Sequence, residues 1–397
     1  MESFDFMLDG SPIACNNLRQ LILWRPLMTN PTGATPEGTR RYSERFGSVT
    51  AAGHFRRQQG LWMSSIGLGT YLGHWDETTD RMYAESVRRA IDLGCNVFDS
   101  AINYRFQRSE RSVGAGLIEA FKSGKTARDE IIVATKGGFF SFDGAPPASA
   151  RGWIRENFVD TEIVAPEEIV GGSHCMSPAY LDNQLSRSLE NFGLDHIDIY
   201  YIHNPESQLE AVSREEFMKR IRAAFEMLER AVSEGRIGIY GTATWNGFRA
   251  AAGASDGLQL EELVNTAREV GGEDHHFRVI QLPHNLAMPE ALTAGNQKVG
   301  SDLLSPLMAA ERLGITVMCS APMMQARLAG NLPPFVRDAM TGLMTDAQRA
   351  IQFVRSTPGV TTALVGMSQR SHVEQNLQLA RTPPAPVEQF LKMFSES

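Results

Sequence analysis

The chain has 397 residues, 42% of them hydrophobic and 21% charged, with a formal net charge of −8. That composition suits a large globular core and argues against a disordered chain. It offers neither the basic face that a nucleic acid needs nor the run of about 18 apolar residues that a membrane span needs. The opening Met1-Glu2-Ser3-Phe4-Asp5-Phe6 lacks a basic stretch followed by an apolar one, so no secretory leader is expected. Cys15, Cys95, Cys175 and Cys319 lie far apart with no C-x-x-C pair, the pattern of reduced thiols in the cytoplasm rather than of disulfides or a zinc site.

Residues 1–45 read as an irregular N-terminal extension, broken by Pro26, Pro31, Gly33, Pro36 and Gly38, with 46–397 as one further domain. The stretch from Gly53 to Gly60, turning into Leu61-Trp62-Met63, predicts a short hairpin. From Ser64 onward, β-rich runs alternate with helical patterns. The runs are 65–70, 96–100, 131–136, 197–203, 237–243, 279–283, 316–320 and 362–365. Between them, apolar residues recur at spacings of three and four. Tyr83, Val87, Ala90 and Ile91 form one such face, Leu181, Leu185, Leu189 and Phe192 another, and Phe217, Ile221, Ala224, Phe225, Leu228 and Val232 the clearest. Ser177-Pro178 is a helix start, with a capping hydroxyl and proline at the first helical position. Gly94, Gly193, Gly235 and Gly314 mark helix ends.

Strands joined through helices pair in parallel, and eight such units close into a (β/α)8 TIM barrel. An open doubly wound sheet is the alternative, but no G-x-G-x-x-G follows the first run. Barrel chemistry sits at the carboxyl ends of the strands, so polar residues just past a β run are the candidates.

Three consecutive runs end in such residues: Val97-Phe98-Asp99-Ser100-Ala101-Ile102-Asn103-Tyr104, Ala134-Thr135-Lys136-Gly137, and Tyr201-Ile202-His203-Asn204-Pro205. Singly, Asp99 reads as a helix cap, Tyr104 as a loop aromatic, Lys136 as a solvated strand end and His203 as a core residue. Together they form a set for carbonyl reduction, which needs a proton as well as a hydride. A phenol has a pKa near 10, poorly matched to neutral pH. At an effective dielectric of about 20, an ammonium about 4 Å away contributes about 4 kcal/mol, so Lys136 is expected to lower the Tyr104 pKa. Asp99 would keep that ammonium charged and aimed, and His203 would donate to the carbonyl oxygen.

Gly67-Leu68-Gly69-Thr70, Asp99-Ser100-Ala101-Ile102-Asn103-Tyr104, Thr135-Lys136 and Ile202-His203-Asn204-Pro205 resemble the motifs of the aldo-keto reductase superfamily. The Asp-x4-Tyr spacing and the chain order Asp, Tyr, Lys, His agree with it. The resemblance runs from about Ser64 to Leu377. It implies Tyr104 as general acid/base, Lys136 and Asp99 as its tuning residues, His203 as the substrate-orienting donor, and NADPH extended across the barrel mouth. Gly69 and Thr70 would border the cofactor. Thr244 stands in Gly241-Thr242-Ala243-Thr244-Trp245-Asn246, where the family usually has a Ser-Asn pair, and Gln281 matches the glutamine expected on the sixth strand. Ser320 ends the seventh run without the tyrosine that often stacks on nicotinamide there. After the eighth run, Gly366, Met367, Ser368, Arg370, His372, Gln375 and Asn376 would take the adenosine end of the cofactor. Glycine and small polar residues opening a helix suit an anion. His372 replaces the usual arginine and Gln375 the usual glutamate, so Arg370 is expected to read a 2′-phosphate, with NADP preferred and NAD left open.

The connection 137–176 is long and aromatic, with Phe139, Phe140, Phe142, Trp153 and Phe158, and is expected to act as a lid or wall. Tyr71 and Trp75 after the first strand, with Phe139 and Phe140, are the expected substrate contacts. The resulting expectation is an NADP(H)-dependent carbonyl reductase or alcohol dehydrogenase acting on a small carbonyl or alcohol, with no nucleic-acid or membrane partner, no metal and the oligomeric state open. A nicotinamide-binding regulatory or scaffold subunit is the alternative. A metal- or phosphate-dependent lyase or isomerase is disfavoured, because Asp99 is the only carboxylate found at the strand ends.

Overall fold

In the computed structural model, which describes residues 32–392 and 394, the eight β-rich runs become eight parallel strands. They are β3 (Ile66–Gly69), β4 (Val97–Asp99), β5 (Ile132–Gly137), β6 (Ile197–His203), β7 (Ile237–Ala243), β8 (Phe277–Pro283), β11 (Thr316–Ser320) and β12 (Thr362–Gly366), hydrogen-bonded in that order into a closed barrel, with β12 returning to β3. Two hairpins stand outside it: β1 (Phe55–Gln58) with β2 (Leu61–Ser64), and β9 (Gln297–Val299) with β10 (Asp302–Leu304). The first turns at Gln59 and Gly60, both at positive φ, as a two-residue hairpin loop requires.

The helices are α1 (Pro36–Phe46), α2 (Glu77–Asp92), α3 (Arg108–Lys122), α4 (Ala150–Ile154), α5 (Pro178–Phe192), α6 (Arg214–Ser233), α7 (Leu260–Gly271), α8 (Glu290–Thr293), α9 (Pro306–Arg312), α10 (Pro334–Ala339), α11 (Asp346–Ser356), α12 (Arg370–Asn376) and α13 (Val387–Lys392). Each apolar face expected from the spacing is turned inward; only Leu189 and Val232 are partly exposed.

Two local expectations fail. Residues 36–46 are helical rather than irregular. Pro36 occupies the first helical turn, where its missing N–H costs nothing, and Thr35 Oγ1 accepts from Gly38 N at 2.9 Å. The expected extension over 1–31 lies outside the described residues. Ser177 stands at the cap position of α5, but its hydroxyl makes no capping bond and meets Cys175 Sγ at 3.3 Å instead. Proline alone marks that helix start.

Side-chain alternation along the strands decides what faces the barrel interior. Val97, Ile132, Ala134, Ile199, Tyr201, Ala243, Val279, Met318 and Leu364 form one buried interior cluster. Their outward neighbours, such as Phe98, Val133, Tyr200, Ile202, Ile280 and Val317, pack against the helices. Met63 of β2 joins the interior cluster and stoppers the barrel at its amino-terminal end. Two residues further along the same inward rows come Asp99, Lys136, His203 and Gln281. The pleat that fills the core therefore also delivers four polar side chains to the carboxyl-terminal rim.

The connection 137–176 folds as a layer of its own. Phe140, Ile154, Phe158, Val164, Cys175 and Tyr180 make a separate apolar cluster, with Phe142 and Trp153 against it. The expected lid is mostly this outer packing, because its aromatic rings face one another rather than the barrel mouth. Among the described residues, no helix is long and apolar enough to cross a membrane. Cys95, Cys175 and Cys319 are free and buried.

Candidate active site

Lys136 Nζ donates to Asp99 Oδ2 at 2.7 Å and to the Ser100 carbonyl at 2.6 Å, with both charged side chains buried. Gln281 Nε2 donates to the other oxygen, Asp99 Oδ1, at 2.8 Å. Thr70 Oγ1 donates to Ser100 Oγ at 3.0 Å and to the Asp99 carbonyl at 3.2 Å. The ammonium lies 5.1 Å from the centre of the Tyr104 ring. That ring stands half-buried between Tyr71 (5.0 Å between centres) and His203 (5.9 Å), and Phe139 meets the far edge of His203 at 5.1 Å.

These rings form one end of a cavity of about 850 Å³. Of the residues expected at the site, Asp99, Tyr104, His203, Gly69, Thr70, Tyr71, Phe139, Thr244, Gln281, Ser320, Gly366, Ser368, His372, Gln375 and Asn376 line it. Lys136 lies directly behind, on Asp99. Four do not reach it. Phe140 alternates away from Phe139 and packs on Phe158 and Tyr180, at 5.2 and 4.8 Å between ring centres. Trp75 is exposed against Phe106. Met367 is fully buried in the outer core. Arg370 is exposed and held by Glu374 at 3.0 Å and Glu85 at 3.3 Å.

The electrostatics run opposite to the expectation for Tyr104. Its pKa is pushed well above the ordinary tyrosine value, first by burial, then by the negative charge of Asp99 and by Tyr71. Asp99 neutralises the ammonium that was to lower it, so the phenol is held protonated. Burial also lowers Lys136, against the pull of Asp99. His203 is pushed well below its ordinary value by burial, then by Lys136 and His174, and is a neutral imidazole.

Backbone strain sits beside the phenol. Arg105, Phe106 and Gln107 follow Tyr104 at φ of 50°, 58° and 71°. Each such non-glycine residue costs roughly 1–2 kcal/mol. The turn is held by Arg105, which donates to the His74 carbonyl at 2.7 Å, pairs with Asp80 and lies 5.2 Å from the Tyr83 ring. Asp80 also accepts from Arg108 and Ser112.

Several residues went unnoticed in the sequence. Glu206 Oε1 accepts from the backbone N–H groups of Trp245, Asn246 and Gly247 at 2.8, 3.1 and 3.2 Å, fixing the turn that carries Thr244. Its place just after Asn204-Pro205, at the same strand end as His203, was the available signal. Trp245 lines the cavity and is exposed at its rim. The connection after β11 supplies Met323, Gln325, Ala326 and Ala329, and is the wall that 137–176 was expected to be. Among the described residues, no group of three or more His, Cys, Asp or Glu side chains is arranged to hold a metal ion.

Residues 65–331 match the model of the aldo/keto reductase family. The chain is 28% identical over 177 residues to the aldo-keto reductase YhdN of Bacillus subtilis, a match covering 44% of each protein. It therefore spans less than half the length of that relative. A longer, more distant likeness, 20% identical over 82% of this chain and 90% of the other, is to a probable voltage-gated potassium channel subunit beta of Arabidopsis thaliana. Among solved structures, an aldo/keto reductase from Klebsiella pneumoniae in complex with NADP and acetate matches with a TM-score of 0.58 and 19% identity, over 87% of this chain and 96% of that one. At that identity the likeness speaks for the barrel fold.

Proposed function

The chain belongs to the aldo/keto reductase family, and from that premise we propose that it is an NADP(H)-dependent oxidoreductase that reduces an aldehyde or ketone to the alcohol, with Tyr104 as proton donor. The observation that carries this reading is the convergence of Tyr104, Lys136, Asp99 and His203 at one end of one cavity.

The residues suit a nicotinamide dinucleotide. Among the described residues, Thr244 Oγ1 and Asn376 Oδ1 are buried polar atoms of the cavity lining with no hydrogen-bond partner. A side chain added at Gly366 would meet nothing within 4 Å, so the lining is open there. Thr244 and Gln281 would hold the carboxamide, and Ser320, Gly366, Ser368 and Asn376 the length of the molecule. Arg370, leaving Glu374 and Glu85, would meet a 2′-phosphate with His372 and Gln375. NADP is the preferred cofactor on this reading, with NAD the second choice.

When bound, the reduced nicotinamide supplies the hydride. Tyr104, kept protonated by its surroundings, donates its proton to the carbonyl oxygen as negative charge grows there. The Lys136 ammonium, anchored by Asp99 and Ser100, stabilises the phenolate left behind. Neutral His203 donates to the same oxygen and sets its direction. NADPH oxidation over a panel of aldehydes and ketones, with cofactor binding read by tryptophan fluorescence, tests the proposal. Turnover of at least one carbonyl is expected.

A second reading, a nicotinamide-binding regulatory subunit, is favoured by the likeness over 82% of this chain to a protein named as a channel subunit beta. Tight NADPH binding with no turnover across the panel would select it.

A further inference from the structure

We propose that His174, on the long connection 137–176, is a positioning residue for His203, set by a hydrogen-bonded relay from α6 through Arg220 and Gln208. The inference rests on the role given to His203 above.

The relay has a defined direction. Arg220 Nη1 donates to Gln208 Oε1 at 2.6 Å, which fixes the amide so that its nitrogen faces inward. Gln208 Nε2 lies 2.8 Å from His174 Nδ1 and, having only hydrogens to offer, makes that ring nitrogen the acceptor. The ring proton is therefore on Nε2, which donates to the His203 carbonyl at 2.7 Å. Gln208 and His174 are buried, and burial pushes the His174 pKa down to about 4, so one neutral tautomer persists at neutral pH.

The bond reaches the backbone carbonyl at the very end of β6. His203 ends β6, and the next residue, Asn204, turns to a φ of 46° while its N–H donates to the Ala243 carbonyl at 2.6 Å. The peptide that follows His203 is thus pinned from both sides, by Ala243 and by His174. The His203 side chain is confined by the same group at one remove: the His174 ring meets the edge of Phe139 at 5.0 Å, and Phe139 meets the edge of His203 at 5.1 Å. Gly138 completes the fit, since a Cβ there would stand 2.9 Å from both His174 Nε2 and the His203 carbonyl oxygen. A catalytic imidazole must be held to within a fraction of an ångström, and a displacement of about 1 Å can cost on the order of a hundredfold in rate.

Two variants of the full chain test the relay. His174→Phe keeps a ring against Phe139 and removes both hydrogen bonds. Gln208→Glu replaces the inward donor by an acceptor and draws the ring proton to Nδ1, away from the His203 carbonyl. In each, kcat is expected to fall roughly tenfold or more while KM and the NADPH Kd stay within about threefold. In ¹⁵N-histidine NMR spectra, His174 should be the Nε2–H tautomer in the wild type and change in Gln208→Glu, with the His203 ring resonances moving in step. Unchanged kcat in both variants, or a wild-type His174 protonated on Nδ1, overturns the relay. If the wild type turns over no carbonyl, the functional reading fails on its own, and the spectra still decide: His203 resonances that move in Gln208→Glu support the relay, and unmoved ones overturn it.

Discussion

Lys136 and Asp99 form an ion pair at 2.7 Å with both side chains almost wholly buried, and the second carboxylate oxygen is taken by Gln281. Both charges are largely shielded from solvent and depend on each other. Asp99→Asn should therefore leave an unpaired ammonium and destabilise the fold by about 3–5 kcal/mol, besides lowering turnover. Urea unfolding monitored by circular dichroism measures the first. A loss below about 1 kcal/mol would mean that the pair is solvated in solution.

Tyr104→Phe is the direct test of the proton donor. The ring stays between Tyr71 and His203, so NADPH affinity should be unchanged, whereas kcat for reduction should fall by about 10²–10⁴. Retained turnover would refute the assignment.

Arg370 is exposed and paired with two surface carboxylates, so Arg370→Ala should leave the unfolding midpoint essentially where it is. Its effect on binding can then be read cleanly. If Arg370 meets the 2′-phosphate, the variant loses affinity for NADPH and not for NADH. Equal losses would remove it from cofactor selection.

The turn after Tyr104 predicts a structural weak point at Asp80. Asp80→Asn leaves Arg105 buried without its anion, next to three residues in a strained conformation. Stability should drop by about 2 kcal/mol, and amide exchange at 105–107 should accelerate. Exchange as slow as in the wild type would show that other contacts hold the turn.

Acid sensitivity follows from the buried histidines. His54, His174 and His284 are each lowered by burial from 6.5 to about 4 in the folded protein. Well above pH 6.5 they are neutral whether folded or unfolded and contribute nothing to pH dependence. As pH falls from about 6.5 toward 4, the unfolded chain takes up protons that the folded one refuses, and stability declines, with a ceiling of about 3 kcal/mol per residue. Unfolding free energies measured between pH 7 and pH 5 should fall steadily. A flat profile over that interval would contradict the burial of these rings.

Much of this molecule could be read from residue order because its strands are buried on both faces and so spell short runs dominated by β-branched and aromatic residues, as in 197–203. The four polar side chains at the rim were legible because each directly follows such a run. What escaped depended on context. Pro36 looked like a helix breaker, yet it stands where a helix tolerates proline best. Phe139 and Phe140 are chemically the same, and only backbone direction sends one to the cavity and the other to Tyr180. The direction of the Tyr104 shift turned on burial and on the negative charge of Asp99, which spacing along the chain does not contain. Glu206 stood at a strand end where it could have been noticed, but its partners, backbone N–H groups 39 to 41 residues away, could not be read from the spacing.

The Met63 stopper has a consequence for traffic. With Met63 beneath it, the packed barrel interior offers no way through, so whatever arrives at Tyr104 must depart through the doorway it entered. A long guest lying across that doorway would bar the exit of a smaller one beneath it only if it arrived second. Entry and departure should accordingly follow a last-in, first-out queue.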